Sequence, residues 1–425
     1  MILLSFSPVK STDAPELKQH IAEHFKCISL KSIFQKIGPG LITAALVFGP
    51  GSLTVNTKLG ASFGYNLIWV IIVSIIFMIS YTTLSGTIGC LTKESLMQTI
   101  SRLYGRPTAF LLGLGIFFIG SSFQAGNSIG AGVAFYEMFG ISQAFWIIFI
   151  SLLAIMLVYV RSFYKVLEMV MSGLVLMMLI CFLITLILSK PDIGALVQGL
   201  TFQIPEGSEF LVVALVASSF SIVGAFYQSY LVQAKGWKID DLKTSGRESL
   251  RGILILGFLS SMVMMCAASI LHHQNIEVNH AADLGLALEP LFGETTKVLF
   301  MTGLFAASFT SLLGNATIGG TILGDAFGFG HDYQSKKVKA MVVLVIIFGS
   351  AIAIAFGKLP LQLIIFAQAI TIVVAPAAAF FLLKLSWRKD IMQENLYTWG
   401  RSLLPVMGFL LLVVLAIFHL KRLIF

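Results

Sequence analysis

Charge is scarce in this 425-residue chain: 11% of residues carry one, while 57% are hydrophobic. With a mean hydropathy of +0.93, that scarcity excludes a soluble domain of this length. Cysteine is nearly absent too. Cys27, Cys90, Cys181 and Cys266 are scattered, with no CxxC and no clustered loop pair. They read as small apolar packing residues rather than a disulfide or zinc framework. No HExxH occurs, and Asp325 stands nearly alone as an intramembrane aspartate, so neither protease chemistry has its residues. The chain is expected to be no enzyme and to need no cofactor. A cleavable leader is not expected either: the first thirty residues are polar, carry Lys10, Lys18 and Lys26, and lack an apolar core with a cleavage site. Residues 1–36 therefore read as a cytosolic tail.

What is abundant is apolar sequence in membrane-length runs of ~20 residues. Eleven can be set down, at about 38–58, 64–88, 108–136, 144–160, 166–189, 209–233, 249–271, 295–325, 338–357, 360–384 and 402–420. With the N-terminus inside, 22 Lys and Arg fall in the inner segments and 5 in the outer ones, and Lys58 lies within the first span. That bias is what the positive-inside rule requires. The net charge of +8 is thus explained by topology and not by nucleic acid, and membrane lipid is the expected neighbour. The expectation is an integral protein of the bacterial inner (plasma) membrane with its N-terminus cytoplasmic and its C-terminus outside.

The first span is interrupted at its middle by Gly49-Pro50-Gly51-Ser52. Proline lacks a backbone donor and glycine holds a helix poorly, so the spacing predicts a broken helix. Unpaired backbone at that depth is tolerated only in protein or along a cavity, and broken midplane helices mark secondary transporters. The sixth span has no proline but gathers Ser218, Ser219, Ser221 and Gly224 near its centre. Spans one and six are equivalent positions in a five-plus-five inverted repeat. The fold class expected is all-α, with one membrane domain over 37–425. Its repeats run over about 37–190 and 205–385, and the extra span over about 402–420.

These residues resemble the NRAMP family of divalent-metal transporters, over nearly the whole chain. The resemblance rests on Gly38-Pro39, Pro50-Gly51, Gly60-Ala61, Gly64-Tyr65 and Leu67-Ile68-Trp69-Val70. It continues through Arg161 to Glu168, Lys190-Pro191-Asp192, Leu231-Val232-Gln233, and Gly319-Gly320-Thr321 with Gly324. It implies eleven or twelve spans of the LeuT type. It also matches the family's DPGN aspartate to Gly49 and its asparagine to Ser52. The sixth-span MPHN falls on Ser221-Ile222-Val223-Gly224, and a second histidine one turn later falls on Gln228. The span-three acidic pair becomes Gln124 and Asn127, and a later first-span aspartate becomes Asn56. Gln368 in span ten matches a family glutamine.

Around the two breaks the chemistry is therefore neutral. Gly49, Pro50 and Gly51 break span one and expose carbonyls. Ser52, Ser218, Ser219 and Ser221 offer hydroxyls, while Asn56, Asn127, Gln228 and Gln368 offer amides. Transition metals favour anionic or soft donors, which this set lacks. The expected function is alternating-access transport of a small solute other than a transition-metal ion. The alternative, implied by the resemblance, is a divalent metal ion of the Mn, Fe or Mg type, carried partly hydrated. Proton coupling is not expected, since no titratable groups run through the bilayer. Lys58 could attract an anionic substrate, stand in for a bound cation, or snorkel to the headgroups. The outer loop holds His272, His273, Glu277 and His280, which read either as a metal site or as polar loop residues.

Overall fold

The computed structural model describes residues 39–160, 163–272, 278, 282–356, 361–396 and 399–424. Among these residues every regular element is a helix. The first span is two helices, α1 (Pro39–Val47) and α2 (Pro50–Phe63). Pro50 sits in the first turn of α2, where its missing N–H costs nothing, and Gly49 before it is extended (φ −124, ψ −173). Span two is α3 (Ile68–Leu91), followed by the short α4 (Leu96–Tyr104). Ser95 starts α4 with a capping box, its hydroxyl taking the Gln98 N–H while the Gln98 side chain takes the Ser95 N–H. Span three is the 34-residue α5 (Arg106–Phe139), and span four is α6 (Gln143–Tyr159). Span five is α7 (Phe163–Ser189), followed by α8 (Ile193–Gln198), capped by Asp192.

The sixth span breaks as its serines suggest, into α9 (Glu209–Ser219) and α10 (Ile222–Ala234). Ser221 ends the interruption by accepting the Gly224 N–H, a helix start made by a hydroxyl rather than by proline. Span seven is α11 (Leu242–Ile270); α12 (Ala282–Phe292) leads into span eight, the 33-residue α13 (Glu294–Ala326). Then come α14 (Lys336–Phe356), α15 (Leu361–Ser386), the short α16 (Lys389–Leu396) and α17 (Trp399–Ile424). Among the described residues eight segments are long and apolar enough to cross a membrane, with the sixth span counted whole, and 143–159 and 370–386 are shorter apolar helices. With the broken first span they make the eleven expected.

Burial sorts the spans into an inner and an outer set. The apolar window of span six is 83% buried and that of span eight 72%, against 39% for span five and 28% for span eleven. Apolar side chains on the outer spans can face lipid tails, so burial there gains little. The inner spans come close enough to need glycine. A Cβ on Gly252 would lie 1.9 Å from the Gly40 carbonyl oxygen, so α11 and α1 touch backbone to backbone. Small residues at such crossings are how membrane helices obtain dispersion contact without a hydrophobic driving force. The described cysteines, Cys90, Cys181 and Cys266, are buried and free.

Candidate functional site

The two breaks face one another across a cavity of about 30 Å³. It has room for water. Span one contributes Leu46, Val47, Gly49, Gly51 and Ser52, and span six contributes Ala217, Ser218, Ser221 and Val223. Span three adds Ile119, Phe123 and Asn127, and span eight adds Ser311, Asn315 and Ile318. None of these side chains titrates.

The carbonyls at the end of α1 are taken up one by one. Ala44 O accepts Phe48 N–H at 3.0 Å. Ala45 O and Leu46 O share the Ser311 hydroxyl proton at 3.3 and 3.2 Å. Val47 O accepts the Ser52 hydroxyl at 3.2 Å, across the break. In span six the Ser218 hydroxyl donates to Leu215 O at 3.0 Å. A hydroxyl has one proton and two lone pairs. With their protons held by helix carbonyls, Ser52, Ser218 and Ser311 have lone pairs left for the cavity. The C-terminal ends of α1 and α9, with partial negative charge, and the N-terminal ends of α2 and α10, with partial positive charge, all meet here. Hydroxyl oxygens with free lone pairs suit a cation. Asn127 is the opposing element: its Nδ2 is buried and has no partner among the described residues.

Residues 40–421 match the Nramp family, described as natural resistance-associated macrophage protein-like. The chain belongs to the NRAMP family. A divalent metal cation transporter, MntH of Yersinia pestis (strain Pestoides F), is 26% identical over 389 residues, 89% of this chain and 92% of that protein. The MntH of Pectobacterium carotovorum is 25% identical over 342 residues, 79% and 81% of the two chains. Among solved structures, a manganese transporter of Eremococcus coleocola superposes with a TM-score of 0.69 at 19% identity, covering 92% of this chain and 86% of that one. MhsT in complex with L-phenylalanine gives 0.59 at 15% identity, covering 89% and 98%. The NRAMP chain is thus an integral membrane transporter of LeuT-like fold and not an enzyme.

Of the residues singled out in this NRAMP sequence, Gly49, Gly51, Ser52, Asn127, Ser218 and Ser221 line the cavity. The other described ones stand outside it. Pro50 starts α2, and its carbonyl takes the Thr54 hydroxyl at 2.8 Å. Asn56, one turn further on, donates from Nδ2 to Ser52 O at 2.7 Å, and its Oδ1 is buried without a partner among the described residues. Ser219 is buried behind the break. Gln228 is spent on tying helices together: its Oε1 accepts from Thr43 of α1 and its Nε2 donates to Ser249 of α11 at 3.3 Å. The Gln368 side chain lies outside the described residues. Lys58 is half-buried and donates from Nζ to Val278 O at 3.1 Å, neither reaching the cavity nor standing free. His272 Nδ1 pairs with Ala61 O at 2.8 Å, while His273, Glu277 and His280 lie outside the described residues.

Ser311 and Asn315 are the site residues the sequence reading missed. Span eight offers many hydroxyls, and most bond their own helix: Ser308 to Leu304 O, Thr310 to Ala306 O, Thr317 to Leu313 O. The faint signal was an i,i+4 pair of Ser and Asn on one face of an apolar span.

Proposed function

We propose that this transporter carries a hard divalent cation, Mg²⁺ or an ion like it, with part of its water shell. The ion would sit between the breaks of spans one and six and pass by alternating access. The observation that carries this reading is the set of hydroxyls whose protons are taken by helix carbonyls, with no charged ligand among the described residues that line the cavity. Neutral oxygens cannot offer the thioether or carboxylate that favours a transition ion. Mg²⁺ dehydrates reluctantly and usually keeps several waters, and in this site neutral oxygens would hold it through them. The Asn127 amide, a donor with no partner among the described residues, suits the oxygen of such a water.

Two observations turn the reading away from an organic solute and toward an ion. Related chains are named divalent metal cation transporters, and the neutral oxygens that line the cavity suit an ion with its water. The N-terminus is proposed to be cytoplasmic and the C-terminus outside, on the charge bias. The test is dye-reported entry of Mg²⁺ and of Mn²⁺ into proteoliposomes, against empty liposomes. Saturable Mg²⁺ entry exceeding Mn²⁺ entry is expected. No saturable divalent entry, from protein shown to be folded, would return the solute to an unrelated class.

A further inference from the structure

We propose that Ser311 of span eight is a cation ligand that occupies the place a side chain at position 49 would fill, and that this residue sets which divalent ions are selected. The proposal deepens the reading above and rests on it for the nature of the occupant. Gly49 is extended at φ −124 and ψ −173, a conformation open to any residue. Its lack of a side chain therefore has another cause. A Cβ built there would come within 2.6 Å of Ser311 Oγ, 2.8 Å of Ser311 Cβ and 3.0 Å of Asn127 Oδ1. The space is already filled from span eight.

What fills it is an oxygen with a fixed direction. Ser311 is fully buried, and its proton lies between Ala45 O and Leu46 O. Both lone pairs are left for the cavity that Ser311 lines. A second observation points to a ligand at the same spot. Asn127 is 2% exposed, lines the same cavity, and has an Nδ2 without a partner among the described residues. A buried donor of this kind calls for an acceptor, which a water of the ion's shell supplies. Ser311 thus offers lone pairs to the ion, and the Asn127 amide offers a proton to its water. Selection follows: with a hydroxyl here in place of a carboxylate, an ion gains little for losing its inner waters, and the ion that keeps them is favoured.

The deciding experiment replaces the oxygen with sulfur at nearly the same size. Ser311→Cys and wild type are titrated calorimetrically with MgCl₂ and CdCl₂, with thermal melting as the folding control. Sulfur prefers the soft ion, so the ratio of Cd²⁺ to Mg²⁺ affinity is expected to rise by about tenfold or more, ~1.4 kcal/mol. A packing role alone would leave that ratio within about twofold, and this result would overturn the proposal. The steric half has its own test. Gly49→Asp with Ser311→Gly should gain Mn²⁺ binding that Gly49→Asp alone does not; equal gain in both variants refutes the shared space. If wild type binds neither Mg²⁺ nor Mn²⁺ while Ser311→Cys gains Cd²⁺ binding and the swap behaves as stated, the proposed substrate falls and the role of Ser311 stands. If wild type binds Mg²⁺ and the ratio does not move, the reverse holds.

Discussion

Tyr230→Phe removes a single oxygen from a buried cluster at the end of the bundle where the basic residues gather. Asp325, near the end of α13, is 4% exposed. Its Oδ2 accepts from the Ser95 hydroxyl and from the Tyr230 hydroxyl, the latter at 2.8 Å, and its Oδ1 accepts from Gln98 Nε2–H at 3.2 Å. The Tyr230 oxygen also accepts the Met97 N–H at 3.3 Å. One carboxylate thus holds the first turn of α4 and the length of α10 against α13. A hydrogen bond to a charged group contributes about 1.5–3 kcal/mol, and a buried N–H left without its acceptor adds to the loss. A cost of about 2 kcal/mol corresponds to roughly 30-fold in the balance between closed and locally open forms. The assay is amide hydrogen exchange over α4 in the purified protein, expected to speed up by that factor while α8 is unaffected. Asp325→Asn should act in the same direction, because its amide turns a donor toward other donors. In that background Tyr230→Phe should add less than half of its own effect, since the two share one bond. Unchanged exchange over α4 in both variants, or full additivity, would refute the cluster as a unit.

Other outcomes follow from the same geometry. Ser52→Ala and Ser218→Ala each remove one cavity oxygen and should weaken divalent binding about fivefold, near 1 kcal/mol, with calorimetry as the measure. Gln228→Leu should lower the melting temperature by removing the two bonds through which Gln228 joins Thr43 and Ser249, yet move the divalent Kd by less than about threefold. Gly252→Ala should give no monodisperse folded protein by size exclusion, because its Cβ would lie 1.9 Å from Gly40 O. Mg²⁺ entry should proceed without acidifying the liposome lumen, since no residue lining the cavity titrates; a stoichiometric pH change would count against a neutral site.

Much of the fold was legible because membrane solvation imposes strong local rules. Every spanning segment must be long and apolar and must satisfy its own backbone, so eleven spans could be set out from hydropathy alone. The first break was legible for the same reason: Pro50 cannot continue a helix. The sixth was fainter, because Ser221 interrupts it by capping α10, and a serine within a helix more often bonds its own turn. Lys58 drew attention as a charge inside a span, yet it ends on the carbonyl of Val278, a partner 220 residues away that no local pattern announces.

The sequence by itself determined the class, the number of spans and the two interruptions, because these depend on neighbours within a few residues and on the surrounding solvent. Only the tertiary structure decided which polar residues share a cavity. Gln228 and Ser221 both lie in span six, but one pins α1 to α11 while the other lines the site. Ser311 entered the site because Gly49 leaves it room from the far side of the bundle. Helix periodicity fixes which residues share a face; which faces meet, and what a missing Cβ admits between them, is settled by packing across the whole chain.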